Sequence, residues 1–147
     1  MKVKEIMTRE PACVAPEATL GEVATLMEQE DCGSIPVVRD GRLVGIVTDR
    51  DIVGRAVAAG KDARTTAVAE IMSADPIRVS PDDDVRDAQR VMADRQVRRL
   101  PVVADGQLCG ILVIGQIARR EHDEEKVGEV LEGIRQPSSG RGTHACG

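Results

Sequence analysis

Apolar residues recur at helical spacing in two stretches of the chain. Leu20, Val23, Ala24 and Met27 fall on one helical face, and so do Val85, Ala88, Val91 and Met92. Each stretch opens on a capping residue with an acid three positions on, Thr19 with Glu22 and Asp84 with Asp87, the spacing of a capping box. After each come two β-rich runs. Ile35 to Val38 and Leu43 to Val47 flank Asp40-Gly41, and the run from Leu100 to Val103 ends at Asp105-Gly106; Asp-Gly between such runs is a hairpin signal because Gly tolerates positive φ. A second helix is expected from about Asp49 to Ala59 and again from about Ile114 to Glu121.

The similarity of these stretches is an internal repeat. A shift of 65 residues aligns the two halves without a gap from Val3 to Arg55. Glu5-Ile6-Met7 meets Glu70-Ile71-Met72, Pro11, Val14 and Pro16 meet Pro76, Val79 and Pro81, and Gly45-Ile46 meets Gly110-Ile111. Each repeat reads as short strand, helix, strand, turn, strand, helix. One repeat of this size buries too little apolar surface to offset the entropy of ordering it. The expected fold is therefore α+β, two β-α-β-β-α repeats related by a pseudo-twofold with their sheets face to face, plus a C-terminal helix. The expected divisions are 1–62 and 63–122 for the repeats, 123–136 for an amphipathic helix carrying Val127, Val130, Leu131 and Ile134, and 137–147 for a disordered tail.

Composition narrows the function classes. The 147 residues carry a net charge of −5, which argues against a nucleic-acid surface, and contain no Phe, Tyr or Trp on which single-stranded bases could stack. No apolar run approaches the roughly 20 residues of a membrane span, and Met1-Lys-Val-Lys-Glu5 leads into no apolar signal segment, so a cytoplasmic location is expected. Cys13, Cys32, Cys109 and Cys146 form no C-x-x-C pair and read as reduced, mostly buried thiols. His122 is expected to be exposed in the charge run Arg119 to Lys126, and His144 with Cys146 would make a poor metal site. Nothing in the sequence calls for a metal or a required cofactor, and no arrangement reads as catalytic.

The segments Glu5-Ile-Met-Thr8 and Ser34-Ile-Pro-Val-Val, followed by Asp40-Gly41 and Gly45-Ile-Val-Thr-Asp-Arg-Asp51, are similar to the CBS (cystathionine-β-synthase) domain pair, and the likeness covers roughly residues 3 to 122. Thr48-Asp-Arg-Asp-Ile-Val53 and the Ala-Ala-Gly60 linker resemble the small stand-alone bacterial pairs. The resemblance implies a non-enzymatic regulatory module that binds an adenosine-type ligand (AMP, ADP, ATP or S-adenosylmethionine), forms a homodimer and acts on an unidentified effector protein.

The resemblance also implies a site. Asp51 would accept hydrogen bonds from ribose hydroxyls, and the Thr48 hydroxyl would face the phosphate. The second repeat would supply the loop from Asp75 to Ile77 and the segment Val97-Arg98-Arg99, with Arg98 or Arg99 on the phosphate and Arg50 a weaker candidate. Read on the residues alone, Thr48 and Asp51 also fit an ordinary capping box, and the two arginines fit a solvated charge pair. In the second repeat Val113 and Gln116 replace the hydroxyl and the carboxylate. That half-site, walled by Met7 to Ala12 and Cys32 to Ser34 and bearing Glu10, is expected not to bind, leaving one site per chain. Two rival readings stand beside this one: a ligand-free structural or interaction protein, and a redox or metal responder using Cys13, Cys32 or His122.

Overall fold

The computed structural model describes residues 1–122; the expected C-terminal helix and tail lie outside them. In chain order the elements are β1 (Thr8–Arg9), α1 (Leu20–Glu30), β2 (Ser34–Arg39), β3 (Arg42–Thr48) and α2, one α-helical turn (Asp49–Asp51) that continues as π-helix (Ile52–Val57). The second half follows with β4 (Ser73–Ala74), α3 (Val85–Arg95), β5 (Arg99–Ala104), β6 (Gln107–Val113) and the helical residues 114–122, α4. A short 3-10 turn precedes β1 (Val3–Glu5) and β4 (Val68–Glu70).

Local chemistry explains the elements. Thr19 caps α1 by accepting from the Glu22 N–H at 3.2 Å. Asp84 caps α3 differently, accepting from the Arg86 N–H at 2.8 Å, which releases Asp87 to pair with Arg90 at 2.6 Å. Both hairpins turn through two residues of positive φ, Asp40 (52°) with Gly41 (81°) and Asp105 (53°) with Gly106 (79°), the backbone a two-residue turn of matching twist requires. α2 departs from the expected α-helix: its i→i+5 winding, seen in the Ala58 N–H bond to the Val53 carbonyl at 2.9 Å, begins one turn after Thr48 and ends at Val57.

The two halves exchange their opening arms. β2 pairs with β3 and β5 with β6, but β1 pairs with β6 and β4 with β3, each across to the other half. One bridge, Arg42↔Gln107, joins the two sets of strands. The exchange keeps the pseudo-twofold in its backbone bonds: Val68 N–H to Ala18 O (2.7 Å) matches Val3 N–H to Asp83 O (2.9 Å).

Two cores result, one per half, and each takes apolar side chains from the other half's arm. Val68 and Ile71 join Leu20, Val23, Ile35, Val37 and Val47 in the first. Val3 joins Val85, Ala88, Met92, Leu100, Val102 and Leu112 in the second. Val3 and Val68 are both fully buried, and burying such a side chain stabilises by about 1.5–3 kcal/mol.

Candidate functional site

The arm exchange sets the C-terminal end of β3 and the start of α2 beside the turn between α3 and β5. Between them opens a cleft of about 470 Å³ lined by Ser34, Ile46, Thr48, Asp49, Arg50, Gln96, Val97, Arg98 and Arg99. α3 ends at Gln96, whose left-handed backbone (φ 56°) turns the chain so that Val97, Arg98 and Arg99 reach the cleft. Arg98 is exposed and Arg99 half-buried. Three guanidinium groups against the single carboxylate of Asp49 make the lining cationic.

Of the expected site residues, Thr48, Arg50, Val97, Arg98 and Arg99 line this cleft, while Asp51, Asp75 and Ile77 are not among its lining residues. Asp51 is drawn back into a capping box: Thr48 Oγ1 accepts from the Asp51 N–H at 3.1 Å, and Asp51 Oδ2 accepts from the Thr48 N–H at 3.0 Å. The capping reading of this tetrapeptide is thus realised, and it places the Asp51 carboxylate at the mouth of α2. Asp75 has φ 50° and gives its exposed carboxylate to Arg78 at 2.7 Å. Ile77 is exposed nearby in sequence. Ser34, Ile46, Asp49 and Gln96 complete the lining without having been singled out for this cleft; Ile46 lies on β3 on the face opposite the buried Leu43 and Val47, whereas Gln96 carries no chemical signal beyond ending a helix.

The related cleft on the other side of the pseudo-twofold is smaller, about 180 Å³, and includes Thr8, Pro11, Ala12, Cys32, Ser34, Arg99, Val113 and Gln116. Of the wall expected from residues 7–12 and 32–34, Thr8, Pro11, Ala12, Cys32 and Ser34 line this cleft, while Met7, Arg9, Glu10 and Gly33 are not among its lining residues. Gln116 Nε2 donates to Thr8 Oγ1 at 2.5 Å across it. Ser34 and Arg99 line both clefts and are related by the repeat shift, so they mark where the pseudo-twofold passes and where its chemical symmetry ends.

The thiols and the histidine differ from expectation. Cys13 is exposed and Cys32 and Cys109 are half-buried, because Cys13 lies in the open loop before the Val14↔Val37 bridge. The protein atoms around its sulfur remove part of its water and push the Cys13 thiol pKa up. His122 is half-buried rather than exposed. Among the described residues no group of three or more His, Cys, Asp or Glu is placed to hold a metal ion, and no helix is long and apolar enough to cross a membrane.

A family model described as CBS domain matches the chain twice, over residues 3–58 and 68–123. The CBS domain-containing protein YhcV of Bacillus subtilis is 42% identical over 132 residues, spanning 90% of this chain and 94% of that one. The crystal structure of Hypoxic Response Protein I, a protein of Mycobacterium tuberculosis, holds two coordinated zinc ions; it superposes with a TM-score of 0.76 at 35% identity, over 81% of this chain and 98% of that one. The crystal structure of CBSX2 in complex with AMP superposes with a TM-score of 0.75 at 28% identity, over 84% of this chain and 98% of that one.

Proposed function

The chain belongs to the CBS domain family as a tandem pair of repeats, and we propose that it is a non-catalytic regulatory module whose ligand is an adenosine phosphate bound in the larger cleft. The observation that carries this reading is the cationic lining brought together from both halves, Arg50 from α2 with Arg98 from the turn before β5 and Arg99 from the first position of β5. A phosphate there meets planar N–H forks. Ile46 and Val97 offer aliphatic walls to a base, and Asp51 stands at the mouth of α2 for the ribose hydroxyls. The same charges disfavour the sulfonium of S-adenosylmethionine, so AMP, ADP and ATP rank ahead of it. The complex of CBSX2 with AMP supports the ligand class. A ligand spanning β3 and α2 on one side and residues 96–99 on the other would favour the relative arrangement of the halves that it binds more tightly, and that difference in affinity sets the size of the response. A second copy of the chain is the expected partner, supported by the exposed Val53 and Val57 on α2 and Ile114 on α4.

The missing aromatic residues make the first test direct. Protein freed of nucleic acid by nuclease should show the adenine absorption band if ligand co-purifies, and mass spectrometry of the extract names it. Calorimetric titration of stripped protein with AMP, ADP and ATP follows. Arg98→Ala should weaken binding by about tenfold or more, the value of a hydrogen bond to a charged group. No binding of any of the three, or undiminished binding by the Arg98 and Thr48→Ala variants with their fold retained, would overturn the reading.

A further inference from the structure

The Asp51 carboxylate faces two ways. Oδ2 is spent on the Thr48 N–H, while Oδ1 lies 3.8 Å from the Arg55 Nε. Arg55 then crosses to the other half. Its Nη1 donates to the Ile71 carbonyl at 3.1 Å and to Ser73 Oγ at 3.4 Å. Ile71 is a core residue of the exchanged arm, and Ser73 stands opposite Ile46 in the β3–β4 ladder. Ile46 is itself a wall of the cleft. Arg55 sits in the π-helical stretch of α2, a winding that often marks functional positions.

The other side of the pseudo-twofold makes the same connection by different chemistry. The 65-residue shift lays Gln116 on Asp51 and Thr8 on Ser73. There the side chains meet directly, Gln116 Nε2 donating to Thr8 Oγ1. On both sides the helix after the hairpin is tied to the arm from the other half. One tie is neutral and made in a single step. The other runs through a charged pair whose carboxylate is bonded to the backbone of Thr48, a residue that lines the larger cleft.

We propose that Arg55 is a positioning residue that joins the Asp51 carboxylate to the exchanged arm at Ile71 and Ser73, so that ligand occupancy at Asp51 tightens β4 onto β3, while the Gln116–Thr8 bond is a tie indifferent to ligand. The ligand half of this inference rests on the nucleotide reading above. The Asp51–Arg55 pair is long and its guanidinium is about half exposed, so it is weakly held without ligand. Hydrogen bonds from a ligand to Asp51 fix the carboxylate and, through it, Arg55. By linkage, what strengthens the arm strengthens ligand binding by the same factor.

Amide hydrogen exchange of β4 tests both halves. In ligand-free protein, Asp51→Asn, which touches no β4 residue, should raise β4 exchange about threefold in the presence of Arg55 and leave it unchanged in the Arg55→Ala background, a coupling of ordinary size for linked residues. Equal effects in the two backgrounds, or none in either, would overturn the tie. With AMP, wild-type β4 should exchange more slowly. Arg55→Lys, which lacks the planar fork whose Nε faces Asp51 while Nη1 reaches Ile71, should bind AMP without slowing β4, and Gln116→Leu should slow as wild type does. Undiminished slowing in Arg55→Lys would remove the ligand linkage. Absence of AMP binding by wild type would sink the nucleotide reading and the ligand linkage with it, while the ligand-free cycle still judges the tie.

Discussion

Replacing Gly110 by Ala puts the arm exchange to a quantitative test. Gly110 lies on β6 opposite Arg9 of the crossing β1, and a Cβ there would fall 2.5 Å from the Thr8 carbonyl oxygen and 2.9 Å from Met7 Sδ. Met7 can swing aside. The Thr8 carbonyl cannot, because it belongs to a strand whose arm is anchored by the fully buried Val3. At the related Gly45 the added carbon would meet Met72 Sδ at 2.5 Å and the Ser73 carbonyl at 3.0 Å, so most of the obstruction is a flexible thioether. Overpacking costs about 1–3 kcal/mol, and the smaller entropy of the unfolded Ala chain offsets about 0.4–1 kcal/mol of it. Gly110→Ala should therefore destabilise by about 0.5–2 kcal/mol, lowering Tm by about 1–8 °C for a chain of this size, and Gly45→Ala should cost less. Circular dichroism of the helix signal during urea and thermal unfolding is the assay, since no aromatic residue reports by fluorescence. Exchange of the β1 amides should speed up in Gly110→Ala alone. A Gly110→Ala chain as stable as wild type, or a Gly45→Ala chain that loses more, would refute the described seating of β1 on β6.

Thr48→Ala should cost about 0.5–2 kcal/mol of stability through the lost cap and should also lower nucleotide affinity, whereas Thr48→Ser should keep both; urea unfolding and calorimetry on the two variants decide this. Asp82, fully exposed, is held below the ordinary carboxylate range by its bond to Lys4 at 3.0 Å and by the charges of Lys4 and Lys2. A carboxyl lowered in the folded state contributes stability that is present above its unfolded pKa and lost as pH falls through the folded one. Melting of Asp82→Asn and wild type should hence differ little in strong acid and diverge as pH rises past the ordinary carboxylate range, and a difference independent of pH would refute the pairing. Cys13, exposed but with a raised thiol pKa, should be alkylated more slowly at neutral pH than an unhindered thiol and catch up in alkali; peptide-resolved mass spectrometry measures the rate, and fast labelling at neutral pH would restore it as a redox candidate.

Much of the fold was legible because its signals are local. The Thr19 cap, the apolar stripe of α1 and the Asp-Gly turns act over three or four residues, and the repeat doubled every such signal. The expected strands lengthen by only a residue or so at each end, to Ser34–Arg39 and Arg42–Thr48. The arm exchange was not legible. Val3 and Val68 read as apolar starts of their own repeats, and nothing within a repeat says which core they enter. The π-helical winding of α2 was hidden too: Gly54 and the β-branched Ile52, Val53 and Val57 weaken helix propensity there, but nothing in them distinguishes i→i+5 from i→i+4 winding. In the site, the sequence named the side chains at the Thr48 turn and the Arg98-Arg99 turn. It offered the capping box, in which Asp51 satisfies the backbone at Thr48, as one of two readings, and it missed that the Arg78 side chain would claim Asp75, because both depend on where a carboxylate swings.

Exchange of the arms changes what the proposed ligand in the larger cleft would act on. Were each repeat closed on itself, a nucleotide touching Thr48 and Arg98 would press on a contact between two finished units. Here β3, which carries Ile46 and Thr48 into the cleft, is bordered by β4 from the other half, and the turn bearing Arg98 leads into β5, whose partner β6 is bordered by β1 from the first. Each wall of the cleft is thus built with a strand from the opposite repeat. Val3 and Val68 carry each arm into the other half's core, and the two sides of the pseudo-twofold differ chemically at Ser34 and Arg99 and at Asp51 and Gln116. Under the proposed nucleotide reading, the duplicated architecture would supply the frame, and the positions at which its halves differ would set the direction in which ligand energy is used.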